Sequence, residues 1–446
     1  MTAMDSCDVN RLWDLLVTRD PASPCCIRGR EAITWGAFMA RAVSLARRLP
    51  AQPCLANLCE DRLDFLLVFC AALLAGKQVL LPQNRQSAAL QDLAIRYPDM
   101  AWVASESLED VKMPLQVVRW DELCPDETPS EFSPVPLAEP AVTVFTSGST
   151  GVPQPHGKHW DLLESSARAA LQRFGLEAQP IVATVPPQHM FGLECSILLP
   201  LIGGMPVYGG RPFYPEDLRQ ALLDVGVPAM LVTTPVHLRA VVRAGLSWPE
   251  VAGVISATAP LARELAQEAE RVLGVPVDEI YGCTETGAVA SRRQTADPSW
   301  RVFDGIRLQR EGEAAVVSGL PWPAPMRLPD LVTVHGDATF ALLARPSDMV
   351  NVAGKRASLA DLNRLLLSID GVVDGVIFMP EEGAELCRPA ALVVADGVSR
   401  AGILSQLAGR IDPVFLPRPL RLVDRLPRTG AGKLRREDLL QLLAAS

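Results

Sequence analysis

The sequence predicts an α/β protein: a large N-terminal domain of helix-covered, mainly parallel sheets with a β-rich part, followed by a small α+β C-terminal domain. Three observations carry that expectation. Short β-type runs alternate with helical patterns through most of the chain, as they do where parallel strands are joined by crossover helices. Residues 309–340 change to short strands and turns around a Pro-rich piece, 320–329. Beyond residue 345, a further run of about a hundred residues carries its own strands and helices, enough for a separate domain.

Taken in order, residues 11–17 are amphipathic, and Thr34 is placed to cap a helix over 35–49 whose Phe38, Ala42, Leu45, Ala46 and Leu49 share one face. Residues 65–75 read as a buried helix closed by Gly76, followed by a strand over 78–81. Strands are expected over 142–145, 181–185, 230–234, 253–256 and 275–281, with helices over 216–224 and 261–273. In the C-terminal part, helices over 359–368, 401–411 and 437–443 accompany strands over 373–379 and 390–394. Ligands of parallel sheets bind in the crevice beyond the strands' carboxyl ends, so the loops after Phe145, Val185, Ile255 and Tyr281 are site candidates on topology alone.

Composition narrows the function. Of 446 residues, 49% are hydrophobic and 21% charged, the balance of an ordinary globular chain. A net charge of -9 argues against a general nucleic-acid binder, whose footprint would be basic. The longest apolar run, 65–75, is too short for a bilayer span, and the N-terminus lacks the pattern of a secretion signal, so a cytoplasmic location is expected. The ten cysteines are scattered without zinc-site spacing, which suits free thiols; Cys283 reads as a small packing residue.

One stretch carries more chemistry than the rest. Residues 142–158 read Val-Thr-Val-Phe-Thr-Ser-Gly-Ser-Thr-Gly-Val-Pro-Gln-Pro-His-Gly-Lys, a β-type run feeding a Thr/Ser/Gly loop, with a helix from about Trp160. Gly148 and Gly151 allow backbone N–H groups to turn toward an anion, and Thr146, Ser147, Ser149 and Thr150 add hydroxyls for phosphoryl oxygens. A solvated Ser/Gly turn is the alternative for the stretch alone.

The loop Thr146-Ser-Gly-Ser-Thr-Gly-Val-Pro153 resembles the phosphate loop of the adenylate-forming superfamily, which includes acyl-CoA synthetases, aryl-acid ligases and peptide-synthetase adenylation domains; no Gly-Lys-Ser/Thr closes it as in a Walker loop. Further motifs of that superfamily follow in register. Tyr281-Gly-Cys-Thr-Glu285 resembles the segment that places Thr284 on the α-phosphate, Glu285 on Mg²⁺, Tyr281 beside adenine and Gly282 at the acid. Pro187-Gln-His189-Met-Phe191-Gly192 is similar to the acyl-pocket loop, giving His189, Phe191 and Gly192 to the acid. Ser256-Ala257-Thr258-Ala259-Pro260 resembles the stretch along adenine and the acyl group, with Ser256 on the acid side. His335-Gly336-Asp337 resembles the pair whose carboxylate takes the ribose hydroxyls. Arg345-Pro-Ser347-Asp348 resembles the hinge, with Arg345 reaching ribose or phosphate and Ser347 and Asp348 carrying the rotation of a mobile C-terminal domain. Pro427-Arg-Thr-Gly-Ala-Gly-Lys433 resembles the loop whose lysine bridges the carboxylate and the α-phosphate.

The resemblance implies domains at 1–344 and 349–446 around a hinge at 345–348. It implies ATP and Mg²⁺ as cofactors, a small carboxylic acid as substrate, and a phosphopantetheine thiol, of an acyl carrier protein or CoA, as acceptor. The chain is short for the superfamily, and Gln154 stands where a lysine is usual, leaving Lys158 as the candidate to supply that charge. In these respects it is similar to compact AMP-ligases of aryl polyene and xanthomonadin pigment pathways, which implies a hydroxybenzoate-like acid and an acyl carrier protein. Arg410, Arg418, Arg421, Arg425, Arg428, Arg435 and Arg436 form a basic C-terminal region that could dock an acidic carrier or simply be solvated. A non-catalytic adenylate-binding protein is the alternative that Gln154 alone favours.

Overall fold

The computed structural model describes residues 9–82, 84–107, 114–123, 132–136, 140–147, 153–311, 314–319, 322–344, 349–352, 355–380, 388–429 and 432–445. The chain divides into two compact units, Met1–Arg307 with Ser318–Met326, and Leu308–Val317 with Arg327–Ser446. The expected hinge, 345–348, lies outside the described residues, and residues 327–344 group by compactness with the second unit. No helix among the described residues is long and apolar enough to cross a membrane.

The first unit contains two sheets, both mainly parallel as expected. One runs in the spatial order Leu115–Val117, Met100–Ala104, Cys54–Asn57, Gln78–Leu81, Val142–Ser147, Pro153–Lys158, parallel throughout except for its last, antiparallel pair. The other runs Asp297–Val302, Gly287–Arg293, Val277–Cys283, Val251–Ser256, Ala229–Thr233, Ile181–Ala183, Val207–Tyr208, Pro24–Arg28, Glu31–Thr34. Its middle is parallel, and antiparallel neighbours close both sides.

Helices form where the apolar period and caps require them. Trp35–Arg48 starts on Thr34, whose hydroxyl accepts from the Ala37 N–H at 3.3 Å. Arg62–Leu74 begins three residues before the apolar run suggests, because the Asp61 carboxylate accepts from the N–H groups of Leu63 and Asp64. Every residue of that helix is buried, so its pattern is apolar all round rather than on one face.

The strand Pro153–Lys158 is the clearest departure from sequence expectation. Pro153, Pro155 and Gly157 argue against a strand, yet the segment pairs antiparallel with Val142–Ser147 from Val142 opposite Lys158 to Ser147 opposite Pro153. It lies at the sheet edge, where a missing N–H leaves no ladder bond unmade. The candidate phosphate loop joins these two paired strands in sequence, and its residues 148–152 lie outside the described ones.

The second unit holds the antiparallel hairpins Leu331–His335 with Thr339–Ala344 and Met349–Val352 with Lys355–Ser358. A three-stranded sheet places Ala390–Ala395 between Val372–Phe378, antiparallel, and Leu420–Leu422, parallel. Helices Leu359–Leu367 and Arg400–Ala408 cover it through Leu362, Leu366, Ile403 and Leu407, which pack with Ile377, Val393 and Leu420. The terminal helix Arg436–Ala444 adds Leu439 to a second cluster with Phe378, Leu392 and Leu426.

Candidate active site

Within the first unit, the hairpin 142–158 and the turn after Val277–Cys283 come together. Lys158 ends the edge strand and is 2% exposed; its Nζ donates to the Glu285 carbonyl at 2.6 Å. His156 Nε2 lies 3.0 Å from Thr146 Oγ1 and 3.8 Å from Glu285 Oε1. Thr146, His156, Lys158 and Glu285, which span 140 positions of sequence, thus share one small region. Thr284 adjoins Glu285 in the same turn.

The electrostatics of that region are set mostly by burial. Burial pushes the Glu285 carboxyl up, but its own backbone N–H, the Cys283 thiol, His156 and Lys158 outweigh it and hold the group below its ordinary value. Burial lowers the His156 imidazole, with Glu285 opposing and Lys158 reinforcing the shift. It also lowers the Lys158 ammonium, against the pull of Glu194, Cys283 and Glu285. The Glu285 side chain, half exposed and held ionised, offers a hard oxygen ligand. One such carboxylate suits Mg²⁺, which keeps several waters and takes its remaining ligands from phosphates. Cys283 has a thiol pushed up by burial and lies 3.1 Å from Thr286 Oγ1, a packing environment rather than that of a nucleophile.

The neighbouring loops show strain and unmet polarity. Thr258 has φ of 80°, the only non-glycine with positive φ among the described residues, and for a β-branched side chain that conformation costs about 1–3 kcal/mol. Ser256 is fully buried at the end of Val251–Ser256, and its hydroxyl has no hydrogen-bond partner among the described residues. Ala257 is buried beside it, while Ala259 is exposed. His189 and Phe191 are half-buried at the short helix Met190–Leu193. Gly192 lies so close to the preceding loop that a Cβ would come within 1.9 Å of the Pro186 carbonyl, so no side chain fits there. A Cβ on Gly282 would come within 2.2 Å of the Gly287 carbonyl. Tyr281 is buried against Trp300, ring centroids 5.5 Å apart.

Several residues that shape this region escaped sequence reading. Glu194 is buried in the π-helical turn Glu194–Leu198, where Oε1 accepts from the Ala288 N–H at 3.0 Å and from Ser166 Oγ at 3.2 Å. Trp322 Nε1 donates to the Thr286 carbonyl at 3.0 Å. Arg62, completely buried, donates to the Gly210 carbonyl at 2.6 Å, to Ser196 Oγ at 3.3 Å and to the Val185 carbonyl, which fixes the start of the His189 loop. A lone acid inside the apolar run 190–202 and a lone arginine before the run 65–75 were the available signals.

The second unit carries the other candidates. Asp337 is exposed in the turn between Leu331–His335 and Thr339–Ala344, which Gly336 makes with φ of 77°. Lys433 is exposed on a tight loop: its N–H donates to Thr429 Oγ1 at 3.1 Å, and its carbonyl accepts from the Thr429 N–H at 2.7 Å. Arg428 grips Asp374 through Nε and Nη2, both at 2.7 Å, and donates from Nη1 to the Gly432 carbonyl at 2.8 Å. Gly148, Ser149, Thr150, Gly151, Arg345, Ser347 and Asp348 lie outside the described residues, as does the side chain of Ser147.

Residues 16–318 match the AMP-binding enzyme family. The chain belongs to that family. As such it is an ATP-dependent, AMP-forming ligase. It is 27% identical over 310 residues to 4-coumarate–CoA ligase of Rhodobacter capsulatus, covering 68% of this chain and 77% of the relative. It is 25% identical over 470 residues to 2-succinylbenzoate–CoA ligase of Geobacillus kaustophilus, covering 93% and 94%. Its fold is similar to that of O-succinylbenzoate Coenzyme A Synthetase (MenE) from Bacillus subtilis in complex with AMP, with a TM-score of 0.78 at 20% identity over 96% of this chain and 97% of that one. ATP-bound MatB from Rhodopseudomonas palustris gives a TM-score of 0.81 at 18% identity, covering 98% and 99%.

Proposed function

We propose that the protein is a cytoplasmic enzyme that activates a small aryl acid of the hydroxybenzoate class as its acyl-adenylate and transfers it to the pantetheine thiol of an acyl carrier protein. The observation that carries the reading is the meeting of the hairpin 142–158 with the Thr284–Glu285 turn through Lys158 and His156. In the first step the acid's carboxylate oxygen attacks the α-phosphorus of ATP, the bond to the bridging oxygen breaks, and pyrophosphate leaves. The thiolate then attacks the acyl carbon and AMP leaves. No side chain becomes covalently attached, so catalysis is positioning and charge neutralisation.

In this reading, residues 146–151 hold the β- and γ-phosphates, and Thr284 the α-phosphate. Ala257, Thr258, Ala259 and Tyr281 border adenine, while Ser256, His189, Phe191, Gly192 and Gly282 border the acid. Glu285 holds Mg²⁺, which when bound neutralises phosphate charge. Asp337 and Arg345 take the ribose, Lys433 bridges carboxylate and α-phosphate, and Ser347 and Asp348 carry a domain rotation between the steps. Two features support the aryl class: the half-buried His189 and Phe191 beside Gly192, and the aryl acids in the names of the relatives.

A second reading makes CoA the acceptor, and the CoA ligases among the relatives favour it. The two separate when enzyme, ATP, Mg²⁺ and 4-hydroxybenzoate are mixed with CoA or with holo-carrier protein and the thioesters are weighed by mass spectrometry. Carrier acylation at least tenfold faster than CoA acylation is the result expected here; the reverse order makes the protein a CoA ligase.

A further inference from the structure

The turn 283–288 is held from outside by three side chains, each from a different segment. Lys158 grips the Glu285 carbonyl, Trp322 the Thr286 carbonyl, and Glu194 the Ala288 N–H. Glu194 is steadied in turn by Ser166 Oγ. It approaches the turn so closely that a Cβ on Gly287, whose φ is 75°, would lie 2.7 Å from Oε1. The carboxylate is presented from a π-helical turn, a rare geometry that tends to occur at functional sites.

We infer that Glu194 is a positioning residue for adenylation: together with Lys158, it fixes the backbone of the turn so that the Glu285 carboxylate is oriented before ATP and Mg²⁺ arrive. Two buried side chains act on one short turn, Lys158 through a carbonyl and Glu194 through an N–H two peptide units further on. Burial pushes the Glu194 carboxyl up and the Lys158 ammonium down, and each group offsets the shift of the other. Removing either side chain leaves a backbone group of the turn without the partner that holds it. Lys158 therefore acts through the Glu285 main chain, which separates it from a lysine that touches pyrophosphate. The inference rests on the proposed role of Glu285.

Glu194→Gln keeps the shape but replaces the carboxyl that accepts from both the Ala288 N–H and Ser166 Oγ with an amide, a weaker acceptor. In the folded, nucleotide-free variant, amide hydrogen exchange across 283–288 should accelerate relative to the rest of the sheet. The half-saturating Mg²⁺ concentration for pyrophosphate exchange should rise by about tenfold, the effect of loosening the residues behind a metal ligand. The KM of the acid should move less than the Mg²⁺ requirement, since the Glu194 carboxylate bonds Ala288 and Ser166 rather than the residues 189–192. Lys158→Arg should move the same readouts in the same direction, and the double variant should add little to either single one. Should Glu194→Gln fail to fold, Ser166→Ala tests the same link, with a shift in Mg²⁺ requirement of about two- to threefold, the loss of one hydrogen bond. Unchanged exchange across the turn together with an unchanged Mg²⁺ requirement, or additive losses in the double variant, overturns the inference. A wild-type enzyme without acid-dependent pyrophosphate exchange would instead overturn the proposed function, and hydrogen exchange would still report whether Glu194 braces the turn.

Discussion

Lys158 and Lys433 are both cations of the proposed reaction, and they sit in opposite environments. Lys158 is 2% exposed, ends an edge strand and is committed to the Glu285 carbonyl. Lys433 is exposed on a loop of the other unit, and that loop is stiffened by its neighbour Arg428 through Asp374 and Gly432. A buried, hydrogen-bonded cation organises what surrounds it. An exposed cation on a braced loop can be delivered to a site and withdrawn from it. The first arrangement suits a fixed turn, the second a step that occurs in one domain orientation only.

Four substitutions press on that contrast. Lys433→Ala should lower the adenylation rate by about 10²- to 10³-fold, the usual loss for one preorganised charge donor, with the melting temperature unchanged. Rapid-quench measurement of adenylate formation beside thermal unfolding checks both halves. Lys158→Met should show the opposite balance. It removes the buried donor to the Glu285 carbonyl and should destabilise the first unit by about 1–3 kcal/mol, read by denaturant unfolding. If Lys158→Met unfolds no more readily than wild type, the two lysines are alike and the contrast fails.

Asp374→Asn should loosen the Lys433 loop. The expected effect is an adenylation rate lower by about tenfold, the scale for losing a charge-assisted bidentate pair that orients a reacting group, with transfer of preformed adenylate to thiol unaffected. An equal loss in both half-reactions would assign Asp374 to the fold of the unit rather than to Lys433. Gln154→Ala should have the smallest effect, within about twofold in pyrophosphate exchange, because an exposed neutral side chain supplies no charge to replace. A loss in pyrophosphate exchange of about tenfold or more would assign a phosphate contact to position 154.

Much of this was legible in the sequence because it is local. The Thr34 cap, the buried helix before Gly76 and the strand ending at Ser256 follow from residue type and period, as does the strand expected over 275–281, which runs two residues further to Cys283. The order of the motifs pointed to the family that residues 16–318 match. What stayed hidden depends on contacts between distant segments. Three backbone-restricting residues masked the strand Pro153–Lys158, which forms because the sheet edge demands few N–H groups. Glu194 lies 94 positions from the Ala288 N–H it accepts, and Asp374 lies 54 from Arg428. No period or spacing ties such pairs together. Nothing in the sequence between 158 and 285 signals that the Lys158 ammonium donates to the Glu285 carbonyl.

The most direct test of the account is acid-dependent exchange of labelled pyrophosphate into ATP by the wild-type enzyme, across a panel of aryl and fatty acids with Mg²⁺ present. The account predicts exchange that requires the acid, is fastest with hydroxybenzoate-like aryl acids, and disappears when Mg²⁺ is chelated. Exchange with none of the acids while ATP still binds would contradict it.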